Sequence, residues 1–144
     1  MTTFRRLAGS LTCAVVAAAG VMFAFPGTAS ADPSPDTWAL LRHCESRGDY
    51  TAVSANGLYF GAYQFDLATW ESVGGTGYPD EASPLEQDYR ALYLYRMRGW
   101  QPWTCATILG LLPDADAASH IVPTLADAEL ISGTPAPADA DSGT

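Results

Sequence analysis

Cys44 and Cys105 bracket the part of the chain where apolar and aromatic side chains are densest. A bond between them would force residues about 60 positions apart to lie side by side, so whether they pair decides much of the fold. The compartment answers that question. Arg5 and Arg6 precede an apolar run from Leu7 to Phe25, Pro26-Gly27 breaks it, and Ala29-Ser30-Ala31 fits a small-residue cleavage site. Residues 1–31 therefore read as a signal peptide, with Asp32 the first mature residue and no stable membrane anchor. The rival reading is an uncleaved anchor, since the run is nearly long enough to span. A lipoprotein reading on Cys13 leaves almost no apolar run ahead of the cut. Removal of the leader takes Cys13 with it and leaves an even pair in an oxidising compartment. A Cys44–Cys105 disulfide is expected, a crosslink that typically adds ~2–4 kcal/mol.

Cleavage also changes the charge. The mature chain keeps five of the seven basic residues, all arginine, and all sixteen acids, for a net charge of −11. That excludes nucleic acid and anionic membrane surfaces as partners on electrostatic grounds. It suits a polymer gripped through neutral sugar faces by aromatic side chains. The chain is long enough for one small domain, expected as a monomer. Residues 32–35 read as a short linker and 36–112 as the folded domain. From 113 to 144 composition shifts to Ala, Asp, Pro, Ser and Thr, which predicts a largely disordered acidic tail, although Thr124 to Ile131 could form a short helix.

Three helices can be placed in the dense part. The first starts near Asp36 or Thr37, puts Trp38, Leu41 and Cys44 on one face and stops at Gly48. Asp66 caps the second, with Leu67, Trp70 and Val73 at helical spacing and Gly74-Gly75 at its end. The third has the strongest start signal: Ser83 as cap, Pro84 at the first helical position and Glu86 completing a capping box. It ends at Gly99 after Arg96 and Arg98. Between the first two helices, Asn56-Gly57 and the β-prone run from Leu58 to Phe65 predict a hairpin. The fold class is thus α+β, mostly helical, with one short β-hairpin and one disulfide.

The residue with the clearest chemical opportunity is Glu45. It falls in the last turn of the first helix, where unpaired carbonyls disfavour a carboxylate, and Trp38, Tyr50 or Tyr63 could desolvate it. A carboxyl kept protonated can donate to a glycosidic oxygen. A surface glutamate at a helix end is the plainer reading. A metal site on His43, Cys44 and Glu45 is poor, because neighbouring helical residues point apart, and no cofactor is expected. Tyr59 and Tyr63 flank Gly61, where a sugar could approach the backbone closely. Trp70, Tyr89, Tyr93 and Trp100 read as core.

Several of these pieces occur together in order: Trp38, Cys44-Glu45-Ser46-x-Gly48-Asp49-Tyr50, Gly57-x-Tyr59-x-Gly61-x-Tyr63-Gln64-Phe65, Thr69-Trp70 and Trp100-x-Pro102-Trp103-x-Cys105. Over about residues 36–106 the set resembles the resuscitation-promoting factors of actinobacteria and related transglycosylase-like domains. The resemblance implies a lysozyme-like fold acting on the peptidoglycan glycan strand at the cell wall. It implies Glu45 as the catalytic acid, Gln64 and Thr69 in the substrate cleft, and Cys44 with Cys105 as the disulfide; Tyr50, Tyr59 and Tyr63 are further candidate substrate contacts. Another cell-wall hydrolase is a candidate partner. The chain departs from the pattern at Arg47, where many members have glycine, and at Tyr50, where they often have tryptophan.

An inverting or retaining hydrolase usually needs two carboxylates flanking the bond, whereas a lytic transglycosylase needs one. Asp49 reads as a turn residue and Asp66 as a helix cap, so the single-acid route is favoured. The competing class is a secreted, non-catalytic module that binds cell-wall glycan or a partner protein.

Overall fold

A computed structural model of the chain describes residues 32–133. The expected signal peptide, with Cys13, and the end of the tail from 134 to 144 lie outside the described residues. The described chain forms helices α1 (Pro35–Ser46), α2 (Leu67–Ser72), α3 (Pro84–Arg98), α4 (Thr104–Ile108) and α5 (Leu125–Ser132), with a single 3-10 turn at Pro79–Glu81. None of them is long and apolar enough to cross a membrane.

Local caps decide where the helices begin. Ser34, not Asp36 or Thr37, caps α1: its hydroxyl accepts from the Thr37 N–H and Pro35 occupies the first turn. Ser34-Pro35 thus repeats the Ser83-Pro84 signal that opens α3. Asp66 caps α2 as expected, accepting from the Thr69 N–H at 2.8 Å. Ser83 caps α3, but the expected capping box is only half made: the Glu86 carboxylate reaches forward to Arg90 Nε at 2.7 Å instead of back to the cap. At the end of α1 the left-handed turn begins on Arg47, at φ 62°, one residue before Gly48. The Arg47 and Gly48 N–H groups then close on the carbonyls of His43 and Arg42.

The expected hairpin is corrected. No strand forms among the described residues; the segment makes only isolated antiparallel bridges, Val53 with Phe60 and Phe60 with Phe65. The predicted turn at Asn56-Gly57 lies between the bridged Val53 and Phe60, with Gly57 at positive φ, but Gly61 and Gln64, also at positive φ, turn the chain again and cut the extended run short. The second bridge closes a tight loop from Gly61 to Gln64, with Phe60 and Phe65 exchanging both backbone hydrogen bonds at 2.9 Å.

The core is built around Trp38. Its ring, fully buried, meets Tyr63, Tyr95, Trp100 and Trp103 with centroids 5.0–6.1 Å apart, mostly edge to face. Cys44 and Cys105 are bonded, joining the last turn of α1 to the start of α4. A buried polar knot sits behind α1. Asp88 on α3 accepts from the hydroxyls of Tyr63 and Tyr50, and Arg42 lies 3.5 Å from the same carboxylate oxygen. Arg42 also donates to the Tyr63 hydroxyl at 2.8 Å and to the Ile131 carbonyl at 3.3 Å. Burial pushes the Asp88 carboxyl up, and the two tyrosine hydroxyls with the nearby Arg42 charge only partly offset that.

The composition shift after Leu112 does not end the packed structure. Residues 113–133, expected to be part of a largely disordered tail, run back over the domain and form α5, with Ala128 and Ile131 buried against α1 and α3. The short helix expected from Thr124 is this element, opened by a complete Thr124–Asp127 capping box. Arg96, with 2% of its side chain exposed, gathers both ends of the described chain: Asp32 pairs with it from one side and Asp127 at 3.3 Å from the other.

Candidate active site

Glu45 reaches its position because α1 ends one residue later and its neighbour Cys44 is bonded to α4. The carboxyl opens into a cleft of about 340 Å³ lined by Glu45, Tyr59, Gln64, Pro102, Trp103 and Thr104. Among the described residues no other carboxylate lines that cleft. Burial pushes its pKa above the ordinary glutamate value, and the backbone N–H of Cys105, in the first turn of α4, pulls part of the way back. Trp38 and Tyr63 are fully buried in the core, and the Tyr50 hydroxyl is committed to Asp88. Tyr59, Pro102 and Trp103 line the cleft together with the acid.

The loop that replaces the hairpin aims Gln64. With φ at 51°, this residue sits in the left-handed region, and its Nε2 donates to the Gly61 carbonyl at 2.9 Å. The side chain is pinned beside Glu45 with its amide oxygen accepting from no group among the described residues. Next to the cleft, a narrower hollow of about 110 Å³ carries Thr69, Asp66 and Arg98. It shares Tyr59, Gln64, Pro102 and Trp103 with the cleft of Glu45, so the two form one groove. Thr69 donates its hydroxyl to Asp66 at 2.8 Å, which fixes both residues at the α2 cap. On the other side of Tyr59 and Asp66 lies a wider apolar hollow of about 610 Å³, walled by Leu58, Phe60, Leu67 and Tyr78.

The structure thus brings Glu45, Gln64, Thr69 and Tyr59 to one groove. Tyr59, 44% exposed, borders all three hollows. Tyr63 is a correction: it contributes to the groove wall, but its side chain is fully buried and its hydroxyl bonds Asp88. Tyr50 likewise holds Asp88 and lines none of these hollows. Gly61 is a second correction. A Cβ there would lie 2.3 Å from Gln87 Oε1, so the glycine admits a buried glutamine, which accepts from the Ala62 N–H, rather than a ligand. The alternative carboxylates are both occupied. Asp49 accepts from the backbone and hydroxyl of Thr51, and Asp66 from those of Thr69. No cluster of three or more His, Cys, Asp or Glu side chains suited to a metal occurs among the described residues.

Sequence reasoning did not place Pro102, Trp103, Thr104 or Arg98 at the site. For the first three a signal existed: a Cys44–Cys105 bond necessarily carries residues just before Cys105 towards the residue just after Cys44.

Comparison with known proteins gives the family. Residues 32–106 match the transglycosylase-like domain family. The chain is 41% identical over 118 residues to resuscitation-promoting factor Rpf of Micrococcus luteus, covering 81% of this chain and 52% of that protein. It is 40% identical over 84 residues to resuscitation-promoting factor RpfC of Mycobacterium tuberculosis, covering 58% and 59%. It is 39% identical over 66 residues to probable transglycosylase SceD 3 of Staphylococcus saprophyticus, covering 43% and 28%. The chain therefore spans a little over half the length of the first two relatives. With a family match that takes in the acid, the groove and both bonded cysteines, the chain belongs to the transglycosylase-like domain family of the resuscitation-promoting factors.

Proposed function

We propose that this chain is an exported enzyme that cleaves the glycan strand of peptidoglycan as a lytic transglycosylase, with Glu45 as its one acid and base. The observation that carries the reading is the partly desolvated carboxyl of Glu45 in a groove open to a polymer, where the other lining carboxylate among the described residues, Asp66, is bound to Thr69. The names of its relatives, resuscitation-promoting factor and probable transglycosylase, support the substrate class.

The chemistry follows from one carboxyl. Protonated Glu45 donates its proton to the oxygen of the β-1,4 bond between N-acetylmuramic acid and N-acetylglucosamine, and the bond to the muramic anomeric carbon breaks. The 6-hydroxyl of the same muramic residue attacks that carbon and gives its proton to the Glu45 carboxylate. The products are a free N-acetylglucosamine 4-hydroxyl and a 1,6-anhydro-muramic end, and Glu45 is protonated again. No water is consumed, so no second carboxylate is required to activate one. Gln64 and Thr69 hold the sugars by hydrogen bonds, and Tyr59 offers its exposed ring to a sugar face.

Purified peptidoglycan digested by residues 32–144 and by Glu45→Gln, with mass spectrometry of the products, tests this. Anhydro-muramic ends from the unaltered protein alone are the expected result. Reducing muramic ends would replace transglycosylation by hydrolysis. Empty digests from both proteins would leave a binding module as the function.

A further inference from the structure

We infer that Arg98 is a specificity residue that reads a carboxylate on the muramic acid units of the strand; this rests on the peptidoglycan reading above. Residues 32–133 hold five arginines in a strongly acidic chain. Three are committed to carboxylates: Arg42 to Asp88, Arg90 to Glu86, and Arg96 to Asp32 and Asp127. Arg47 serves as the left-handed cap of α1 and lines none of the three hollows. Arg98 alone both lines the groove and has no ion pair or hydrogen-bonded side-chain partner among the described residues. The carboxylate that lines the same hollow, Asp66, accepts from Thr69 on both oxygens and makes no ion pair with Arg98.

The position of Arg98 gives that cation a place beside the cleft of the acid. The hollow of Arg98 is also continuous with the cleft of Glu45 through Gln64 and Trp103, which places the guanidinium along the strand path and not at a remote face. Muramic acid differs from N-acetylglucosamine by its lactyl ether. That group ends in a free carboxylate when the stem peptide has been removed, and leads to the carboxylates of the peptide when it has not. Either presents a planar anion that a guanidinium engages with two parallel hydrogen bonds. Position in the last turn of α3 also lets Arg98 complement the helix dipole, but that role needs no groove and predicts no ligand discrimination.

Binding decides the matter independently of cleavage. Calorimetry would use Glu45→Gln and Glu45→Gln/Arg98→Gln with three ligands of equal sugar count: a chitooligosaccharide, a peptide-free muramic strand and a strand with intact stems. In the Glu45→Gln protein the muramic ligands bind better than the chitooligosaccharide. The ratio falls about tenfold on loss of one charge-assisted contact in Arg98→Gln. Arg98→Lys recovers part of it, and added salt erodes it only where the cation is present. A ratio that falls for the peptide-free strand assigns the lactyl carboxylate; one that falls only with stems assigns the peptide. An equal ratio in both proteins, or no binding of any ligand, overturns the assignment. Failure of the wild type to cleave, with the ratio intact, would sink the enzyme reading and leave Arg98 standing.

Discussion

Two residues carry opposite kinds of strain. Glu45 holds its proton more tightly in the folded protein than in the unfolded chain, because burial disfavours the carboxylate. The stabilisation from that proton is complete below the unfolded glutamate value of about 4.3 and is lost as pH rises through the raised folded value. Glu45→Gln, which cannot ionise, should therefore gain in Tm relative to the unaltered protein between mildly acidic and neutral pH. A gap in Tm that stays constant across that window would remove burial as the force on this acid. Arg47 is strained through its backbone: a side chain at φ 62° crowds the following carbonyl. Arg47→Gly should stabilise the protein by roughly 0.5–1 kcal/mol, net of the greater freedom glycine has when unfolded. Thermal denaturation at one pH would show it as a rise in Tm, and a fall would mean that the Arg47 side chain makes a contribution its exposed position does not suggest. Both positions could be read in the sequence, since the Cys-Glu-Ser run and the glycine one residue on are local. The strain on Arg47 could not, because Gly48 offered the more obvious stop.

At the level of elements, one buried charge pair sets two parts of the site. Arg42 lies one helical turn before Glu45, and Tyr63 directly precedes Gln64. Both meet at Asp88, so α1, the Gly61–Gln64 loop and α3 share a single anchor. Asp88→Asn would leave the Arg42 cation without a counter-charge at 7% exposure, a loss typically of about 3–5 kcal/mol. Urea denaturation should show that loss, and Asp88→Asn/Arg42→Met should recover part of it by removing the orphaned charge. No recovery in the double variant would mean that the tyrosine hydroxyls, and not the cation, depend on Asp88. This anchor was invisible in the sequence. Its members are 46 residues apart along the chain at the widest, and nothing in the spacing of Tyr50 and Tyr63 distinguishes a ring beside a sugar from one whose hydroxyl faces inwards. The caps at Asp66 and Ser83 were legible for the converse reason, as each needs only the next three residues. The hairpin failed between these extremes: its β-prone composition is genuine, but the left-handed turn at Gln64 is a backbone property that composition does not reveal.

Across the whole molecule, the segment after the family match becomes part of the support for the acid. The match ends at residue 106, yet α5 covers α1 and α3, and the Ile131 carbonyl accepts from Arg42 on the helix that carries Glu45. Arg96 completes the closure by binding Asp32 at one end of the described chain and Asp127 near the other. Composition predicted a tail here because alanine, aspartate and proline dominate. The packing rests on scattered contacts, among them Ala128 and Ile131 on one face, Asp114 with Tyr95 and Asp127 with Arg96, a pattern too sparse to stand out. A chain of residues 32–112 would expose that face, strip Arg96 of Asp127 and leave Arg42 with one acceptor fewer. Burial of an isoleucine side chain alone is worth about 1.5–3 kcal/mol, so the shortened chain should melt well below residues 32–133. Its cleavage of peptidoglycan should fall further than its folded fraction explains, since α1 would lose its backing at Arg42. Arg96→Met in the longer chain separates the two effects: it releases the clasp while α5 can still pack. If the shortened chain matched the longer one in Tm and in cleavage rate, the C-terminal helix would be an appendage, and the support for Glu45 would have to come from the disulfide and the Asp88 anchor alone.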